Sequence, residues 1–436
     1  MPSRLAIEGG IPVIGPGAHR RLPTMDVALR ALLDSGLLDT EETQVSALQT
    51  EYAAYVGRGH CRATGSGTAA VHCALVAAGV GPGHEVIVPA LGFSAFGLAV
   101  LHAGATPVFV DVDERTFNMD PARIAEAITE RTAAILAVHL HGLPADMPAL
   151  SAIAEEHRIP IVEDGAQAHG AKSHGRIVGT FGQTAGFSTQ ETKIVNGQVG
   201  GLFVCDKADE FLAADRLAHY GEDSTLVGPG ETRSYWSGSL GFNYRMHPVG
   251  AAFARMSLRE LDCHNRTARR NAAILSAGLS EIRGVTPPYT PADIERGYWG
   301  YRAVTDPSVY GWDGDPTEYT ERVIVTLQAE GVAADTYQLS ALPEHYAFRL
   351  SPRAWTPQTP DVPPRPWHPE RYPATINVLN QSFVLAPRDY PLWLQTTSLM
   401  HAYVEALHKV VNRIDFVLGA PIERLRPVPP LPPRRL

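Results

Sequence analysis

Between residues 85 and 163 the chain alternates between short, almost wholly apolar runs and amphipathic stretches, and this alternation is the tightest constraint on its fold. Residues 85–91 read E-V-I-V-P-A-L, 107–112 P-V-F-V-D-V, 133–139 A-A-I-L-A-V-H and 159–163 I-P-I-V-E. Segments 95–102, 121–129 and 147–158, which separate them, carry the spacing of helices. A strand with one wet face alternates apolar and polar residues; a run apolar throughout is covered on both faces. The pattern predicts an α/β domain around a largely parallel sheet flanked by helices.

Before this region, residues 1–40 are rich in Gly and Pro and are expected to form an arm. Residues 41–56 place Val45, Leu48, Tyr52 and Tyr55 at helical spacing, and Gly57 ends that helix. The large domain is expected to span 41–262, and a smaller mixed α/β domain 263–436. Within the latter, 351–372 reads as a Pro-rich surface excursion and 427–436 as an extended tail. A chain of 436 residues is long enough for two cores. Its formal charge of -9 argues against a general nucleic-acid binder, which needs a basic face. Cys61, Cys73, Cys205 and Cys263 show no C-x-x-C pairing, as expected of reduced thiols in a cytoplasmic protein. No signal peptide or membrane-spanning run is evident.

Three segments carry groups suited to chemistry. Residues 64–75, T-G-S-G-T-A-A-V-H-C-A-L, run from small residues into an Ala-rich helix. Free N–H groups and the positive helix end there suit a phosphate, with Ser66 and Thr68 as added donors, although a simple capped turn fits the same letters. Residues 162–170, V-E-D-G-A-Q-A-H-G, set two acids at the carboxyl end of a buried strand, where open parallel sheets bind ligands. Asp164 is placed to accept from a protonated ring nitrogen, Gln167 to reach a ring substituent, and His169 to buttress the loop. Residues 186–201, G-F-S-T-Q-E-T-K-I-V-N-G-Q-V-G-G, present Lys193 among apolar and small residues. The lysines are Lys172, Lys193, Lys207 and Lys409, so a Schiff-base amine has few candidates. His139 and His141 have no carboxylate or cysteine at metal-ligand spacing, and no metal is expected.

In this order, the small-residue loop, E-D-G-A-Q-A-H-G, F-S-T-Q-E-T-K, Gly200-Gly201 and G-F-N-Y-R-M (241–246) together resemble the DegT/DnrJ/EryC1/StrS aminotransferases. The resemblance implies the fold-type I architecture of pyridoxal 5'-phosphate (PLP) enzymes, like that of aspartate aminotransferase. It implies an internal aldimine at Lys193 and Asp164 paired with the pyridine nitrogen. Gln167 falls on the ring hydroxyl side, and Gly67, Thr68 and Ser188 on the phosphate. Phe93 occupies the place of the aromatic on the ring face. Asn243 is expected to reach the phosphate in the neighbouring subunit, which makes a homodimer with shared sites.

The family chemistry is transfer of an amino group from Glu or Gln to a keto-sugar or keto-cyclitol in secondary-metabolite, including antibiotic, biosynthesis. The opening L-A-I-E-G-G-I-P-V (5–13) is similar to that of the cyclitol branch. Val199 replaces the usual acid of G-E-G-G, and Met246-His247-Pro248 departs from the usual continuation. Related dehydratases carry His in place of this lysine, so Lys193 speaks against that outcome. A silent, regulatory PLP-binding protein is the other alternative within the fold. A nicotinamide enzyme is disfavoured, because T-G-S-G-T is not G-x-G-x-x-G.

Overall fold

The structure is a computed structural model that describes residues 4–39, 43–222, 236–351, 366–386 and 388–426. Its centre is a seven-stranded sheet of β1 (His60–Thr64), β2 (Glu85–Pro89), β3 (Thr106–Val110), β4 (Thr132–Val138), β5 (Ile161–Asp164), β6 (Thr184–Ser188) and β7 (Gly201–Cys205). Across the sheet they run β1-β7-β6-β5-β4-β2-β3. Strands β3, β2, β4, β5 and β6 are parallel, whereas β7 is antiparallel to both β6 and β1. Strand β1 therefore points the same way as the parallel set, and its exit opens at the same edge. The apolar runs form the expected parallel core, and Val86, Ile87, Val88, Ala134, Ile135, Leu136 and Val162 are fully enclosed.

Helix α2 (Gln44–Val56) starts where the Thr43 side chain accepts from Ser46 N–H, and ends on Gly57 at φ 83°. The first residues expected of it, 41 and 42, lie outside the described residues. Helices α3 (Gly67–Ala77), α4 (Ala95–His102), α5 (Met147–His157) and α6 (Ala208–Ala218) flank the sheet. Two local expectations are corrected. The arm is not wholly irregular, because it contains α1 (Met25–Asp34), which buries Ala28 and Leu32 against Ala252 and Phe253. Residues 121–129 form two 3-10 turns, Pro121–Arg123 and Ala125–Ala127, because Ile128 is already extended on its way to β4.

Helix α7 (Pro248–Leu279) is continuous for 32 residues, so position 262 falls inside it. Beyond it, β8 (Val285–Thr286), β9 (Tyr301–Thr305), β10 (Ala334–Asp335) and β11 (Ser382–Leu385) form a second sheet in the order β8-β9-β11-β10. Most of the Pro-rich segment and all of the 427–436 tail lie outside the described residues. Among the described residues no helix is long and apolar enough to cross a membrane.

The two acids ending β5 point to opposite faces, as successive strand residues must. Glu163, fully buried, accepts from Gly179 N–H (2.7 Å), Gly182 N–H (2.6 Å) and His139 Nε2 (3.1 Å). His139 Nδ1 accepts from Ala145 N–H (3.0 Å), so the ring proton sits on Nε2. Burial pushes the Glu163 carboxyl up, but His139 and the two N–H groups outweigh it and hold it below its ordinary value. Glu163 is thus a structural acid that ties down the 179–182 loop, leaving Asp164 for the other face.

Helix α3 lies unusually close to β6. A Cβ placed on Gly186 would come within 2.7 Å of Val71 N and 2.9 Å of the Ala70 carbonyl carbon, both backbone atoms of α3. We expect Gly186→Ala to push α3 off the sheet and to cost about 1–3 kcal/mol, the usual range for overpacking. Denaturant titration tests this, and an unchanged midpoint would refute the close-packing account.

Candidate active site

The carboxyl ends of β4, β5 and β6 and the start of α3 converge on a cavity of about 650 Å³. Its lining includes Ser66, Gly67, Thr68, Phe93, Asp164, Gln167, Ser188 and Lys193, together with Val199, Trp299, Tyr337, Gln338 and Arg388. All but one of the expected site residues thus meet in one place. The exception is Asn243, which is exposed on the surface, where its Oδ1 accepts from Arg245 Nε (2.9 Å).

Residues 243–246 nevertheless run beside the α3 loop, since Gly65 N–H donates to Tyr244 O (2.6 Å) and Thr64 bridges Arg245. At the helix start, Ser66 is the N-cap and its hydroxyl accepts from Ala69 N–H (3.1 Å). Among the described residues the N–H groups of Gly67 and Thr68 find no acceptor. Such groups at the positive end of an α-helix bind anions. Gly67 also has to be Gly: a Cβ there would come within 2.5 Å of Ser188 Cβ, closing the space between α3 and β6.

The middle of the cavity is built around Lys193, Asp164 and Gln167. Lys193 sits in a loop after β6, anchored where its N–H donates to Gln190 O (2.8 Å). Its Nζ lies 4.2 Å from the centre of the Trp299 ring, which is itself held by an Nε1 hydrogen bond to Thr192 O (3.0 Å). Desolvation lowers the Lys193 amine to about 8, against the pull of Asp164 in the other direction. Burial likewise raises Asp164, although Ala166 N–H (2.9 Å) and Lys193 oppose it. A more basic carboxylate is a better partner for a protonated ring nitrogen. Gln167 is committed at both ends: Oε1 accepts from His141 N–H (2.7 Å) and Nε2 donates to Tyr337 OH (2.9 Å).

His169 buttresses the floor. Its Nε2 donates to Ser188 O (2.8 Å), so Nδ1 accepts from Tyr52 OH (2.8 Å). Burial lowers its pKa to about 4, which keeps it neutral.

Phe93 is 63% exposed and stands at the cavity edge with Val199. Met246 is buried under Gly197 and Gly200, and His247 caps α7 through Val249 N–H (3.2 Å), so the departure at 246–248 serves local packing, whereas Val199 faces the cavity edge. The opposite wall was missed from sequence. Trp299, Tyr337, Gln338 and Arg388 come from separate segments around the second sheet. Only Y-W-G-Y (298–301) offers a local signal, because Gly300 leaves room for His141, whose Nδ1 is 2.7 Å from where a Cβ would stand.

The anion cradle, the desolvated lysine and the carboxylate at the end of β5 fit PLP, and this fold and site define a PLP-dependent aminotransferase of fold type I. The profile of the DegT/DnrJ/EryC1/StrS aminotransferase family matches residues 24–375, and the chain belongs to that family. It is 37% identical over 323 residues to an L-glutamine:2-deoxy-scyllo-inosose aminotransferase of Streptoalloteichus tenebrarius, covering 70% of this chain and 74% of that one. It is also 38% identical over 261 residues to a pleiotropic regulatory protein of Geobacillus stearothermophilus, covering 60% and 68%. Among solved structures it resembles 3-amino-5-hydroxybenzoic acid synthase, with a TM-score of 0.78, 28% identity and coverage of 91% and 99%.

The lowered amine has a measurable consequence. In cofactor-free protein, Lys193 should be trapped by an aldehyde and borohydride at a rate that rises through about pH 8 and then levels off. Ordinary lysines titrate near 10.4, so their labelling should still be climbing there. Peptide mapping across pH separates the two, and a Lys193 rate that is still climbing beyond about pH 9 would refute the desolvation argument.

Proposed function

We propose that the protein transfers an amino group from an amino acid, glutamine or glutamate, to the ketone of a keto-cyclitol, with keto-sugars as the neighbouring acceptor class. The observation that carries this reading is Lys193, a desolvated amine facing Asp164 across a cavity that begins at an anion-binding helix end. Similarity to the 2-deoxy-scyllo-inosose aminotransferases supports the acceptor class. It also favours glutamine as donor.

Bound PLP supplies an aldehyde and an electron-withdrawing ring that stabilises negative charge on the donor's α-carbon. Lys193 Nζ would hold the cofactor through its aldehyde. With its lowered pKa, the same Nζ would serve as the general base that takes the donor's α-proton and gives it back. Asp164 keeps the ring nitrogen protonated. Gly67 and Thr68 N–H and the Ser188 hydroxyl would hold the phosphate, Phe93 would cover a ring face, and Gln167, tied to Tyr337, would brace the hydroxyl side.

In this reading two copies pair, and Asn243 of each reaches the phosphate held by the other. The exposed Trp236, Leu240 and Phe242 around Asn243 support an interface on this face. The unpaired cysteines support a cytoplasmic site of action. The likeness to a pleiotropic regulatory protein keeps a regulatory, non-transferring role as the second reading.

Mass spectrometry after incubation with glutamine or glutamate should show the cofactor converted to its amine form, and addition of 2-deoxy-scyllo-inosose should return it with an aminocyclitol. Lys193→Ala should slow conversion by roughly 10²–10⁴-fold, the usual worth of general-base catalysis. No conversion with either donor would leave the regulatory reading standing. Mixing inactive Lys193→Ala with a defective Asn243→Ala protein should restore about a quarter of wild-type activity, since half the dimers are then hybrids with one intact site. No recovery, despite subunit exchange, would place Asn243 outside a shared site.

A further inference from the structure

The amine of Lys193 faces an aromatic ring where a carboxylate would be the ordinary partner. Its Nζ lies 4.2 Å from the centre of the Trp299 indole, within the range of a cation–π contact. Among the described residues this amine has no hydrogen-bond acceptor and no carboxylate within ion-pair distance. His139, Asp164, Glu191, Tyr337 and Arg388 line the same cavity. His141 and His169 are buried close enough to feel the lysine's charge. Of these groups Asp164 acts on the amine, and desolvation outweighs its pull.

The ring is itself fixed. Its Nε1–H donates to Thr192 O (3.0 Å), the carbonyl next to Lys193 along the chain, so ring and lysine loop are tied together. His141 stacks on the indole at 6.1 Å and 11° from parallel, and Tyr337 meets it edge-on at 5.2 Å. Burial holds His141 neutral, so it brings no second cation to the indole. A carboxylate in this place would also hold the amine, but it would raise the amine's pKa and keep it charged. An aromatic face attracts the ammonium modestly and has no such hold on the neutral amine. It restrains the side chain without disabling it as a base.

Resting on the amino-transfer reading above, Lys193 would have two tasks, to hold the cofactor and to move a proton. The second needs the amine free and still in place. We propose that Trp299 is the positioning residue for that interval, its ring face parking the Lys193 ammonium whenever the amine is not bonded to the cofactor. Loss of the proton weakens the contact and frees Nζ to act as base. An amine that titrates at about 8 passes between the two forms near neutral pH.

Aldehyde and borohydride trapping of the full chain across pH, read by peptide mapping at Lys193, tests this. Loss of the ring removes a contact that favours the charged amine, so Trp299→Leu should move the midpoint down by about half to one and a half pKa units. Trp299→Phe keeps a ring face and should recover much of that shift. A wall that only excludes water acts in the opposite direction: its loss would move the midpoint up, toward about 10.4. Fluorinated tryptophan, incorporated at all 6 tryptophans, weakens the π face with little change in volume. Because Trp299 is the tryptophan of the cavity lining, the midpoint should fall stepwise from tryptophan to its monofluoro and difluoro forms. This series also covers the case in which Trp299→Leu does not fold.

In the holoenzyme, Trp299→Leu should slow conversion of the cofactor by glutamine about ten- to a hundredfold, the usual cost of a misplaced reacting group, and Trp299→Phe much less. A midpoint that rises in Trp299→Leu, or stays constant through the fluorinated series, would overturn the proposal. So would a lowered midpoint with an unchanged conversion rate. Colour separates these outcomes from a failure of the amino-transfer reading. A wild-type protein that never turns yellow with PLP contradicts that reading, while the trapping midpoints still decide whether the ring holds the amine.

Discussion

The site depends on how closely α3 approaches β6. Gly67 and Gly186 remove the side chains that would hold the helix away from the strand, so its first turn reaches the edge where the parallel strands end. Unpaired N–H groups, the Ser188 hydroxyl and the loop carrying Lys193 are brought within one cavity by that contact. Parallel strands open their carboxyl ends on one side, and a helix end placed there puts its positive pole where an anion can be met. The cavity is thus a consequence of backbone packing before any catalytic side chain is considered.

Desolvation then sets the chemistry of the groups that face into it. The same burial lowers Lys193 and raises Asp164, bringing an amine and a carboxylate closer to neutral pH from opposite sides. Around them the polar groups are fixed by hydrogen bonds. His169 is pinned as a neutral donor to Ser188 O, and Gln167 is tied to both His141 and Tyr337. Glu163, one residue from Asp164, is consumed by the 179–182 loop. Two adjacent acids therefore have different fates because a strand turns them to opposite faces.

The strands of the central sheet were legible because burial on both faces leaves an uninterrupted apolar signature. The motif residues were legible because Gly67, Asp164, Gln167, Ser188 and Lys193 lie on short local segments that the fold brings to one cavity. Helix α1 was hidden because its apolar stripe, Ala28 and Leu32, is short and finds Ala252 and Phe253 only through the fold. The turns at 121–127 look helical by composition, but the chain must straighten at Ile128 to enter β4. Trp299, Tyr337, Gln338 and Arg388 left little trace, since nothing along the chain reveals that these separated segments share a wall.

Helix α7 has a further consequence for how the molecule moves. Thirty-two residues without a break make a rod about 48 Å long at the usual rise per residue. Its early turns pack under α1 and α2, and its later turns carry the helix Thr397–Val411 and the second sheet's surroundings. Such a beam resists flexing at its middle, so a swing of one half against the other cannot pivot there. Substrate exchange has to be absorbed by the short connections at the cavity mouth, which makes the stiffness of the frame a condition for the mobility of its rim.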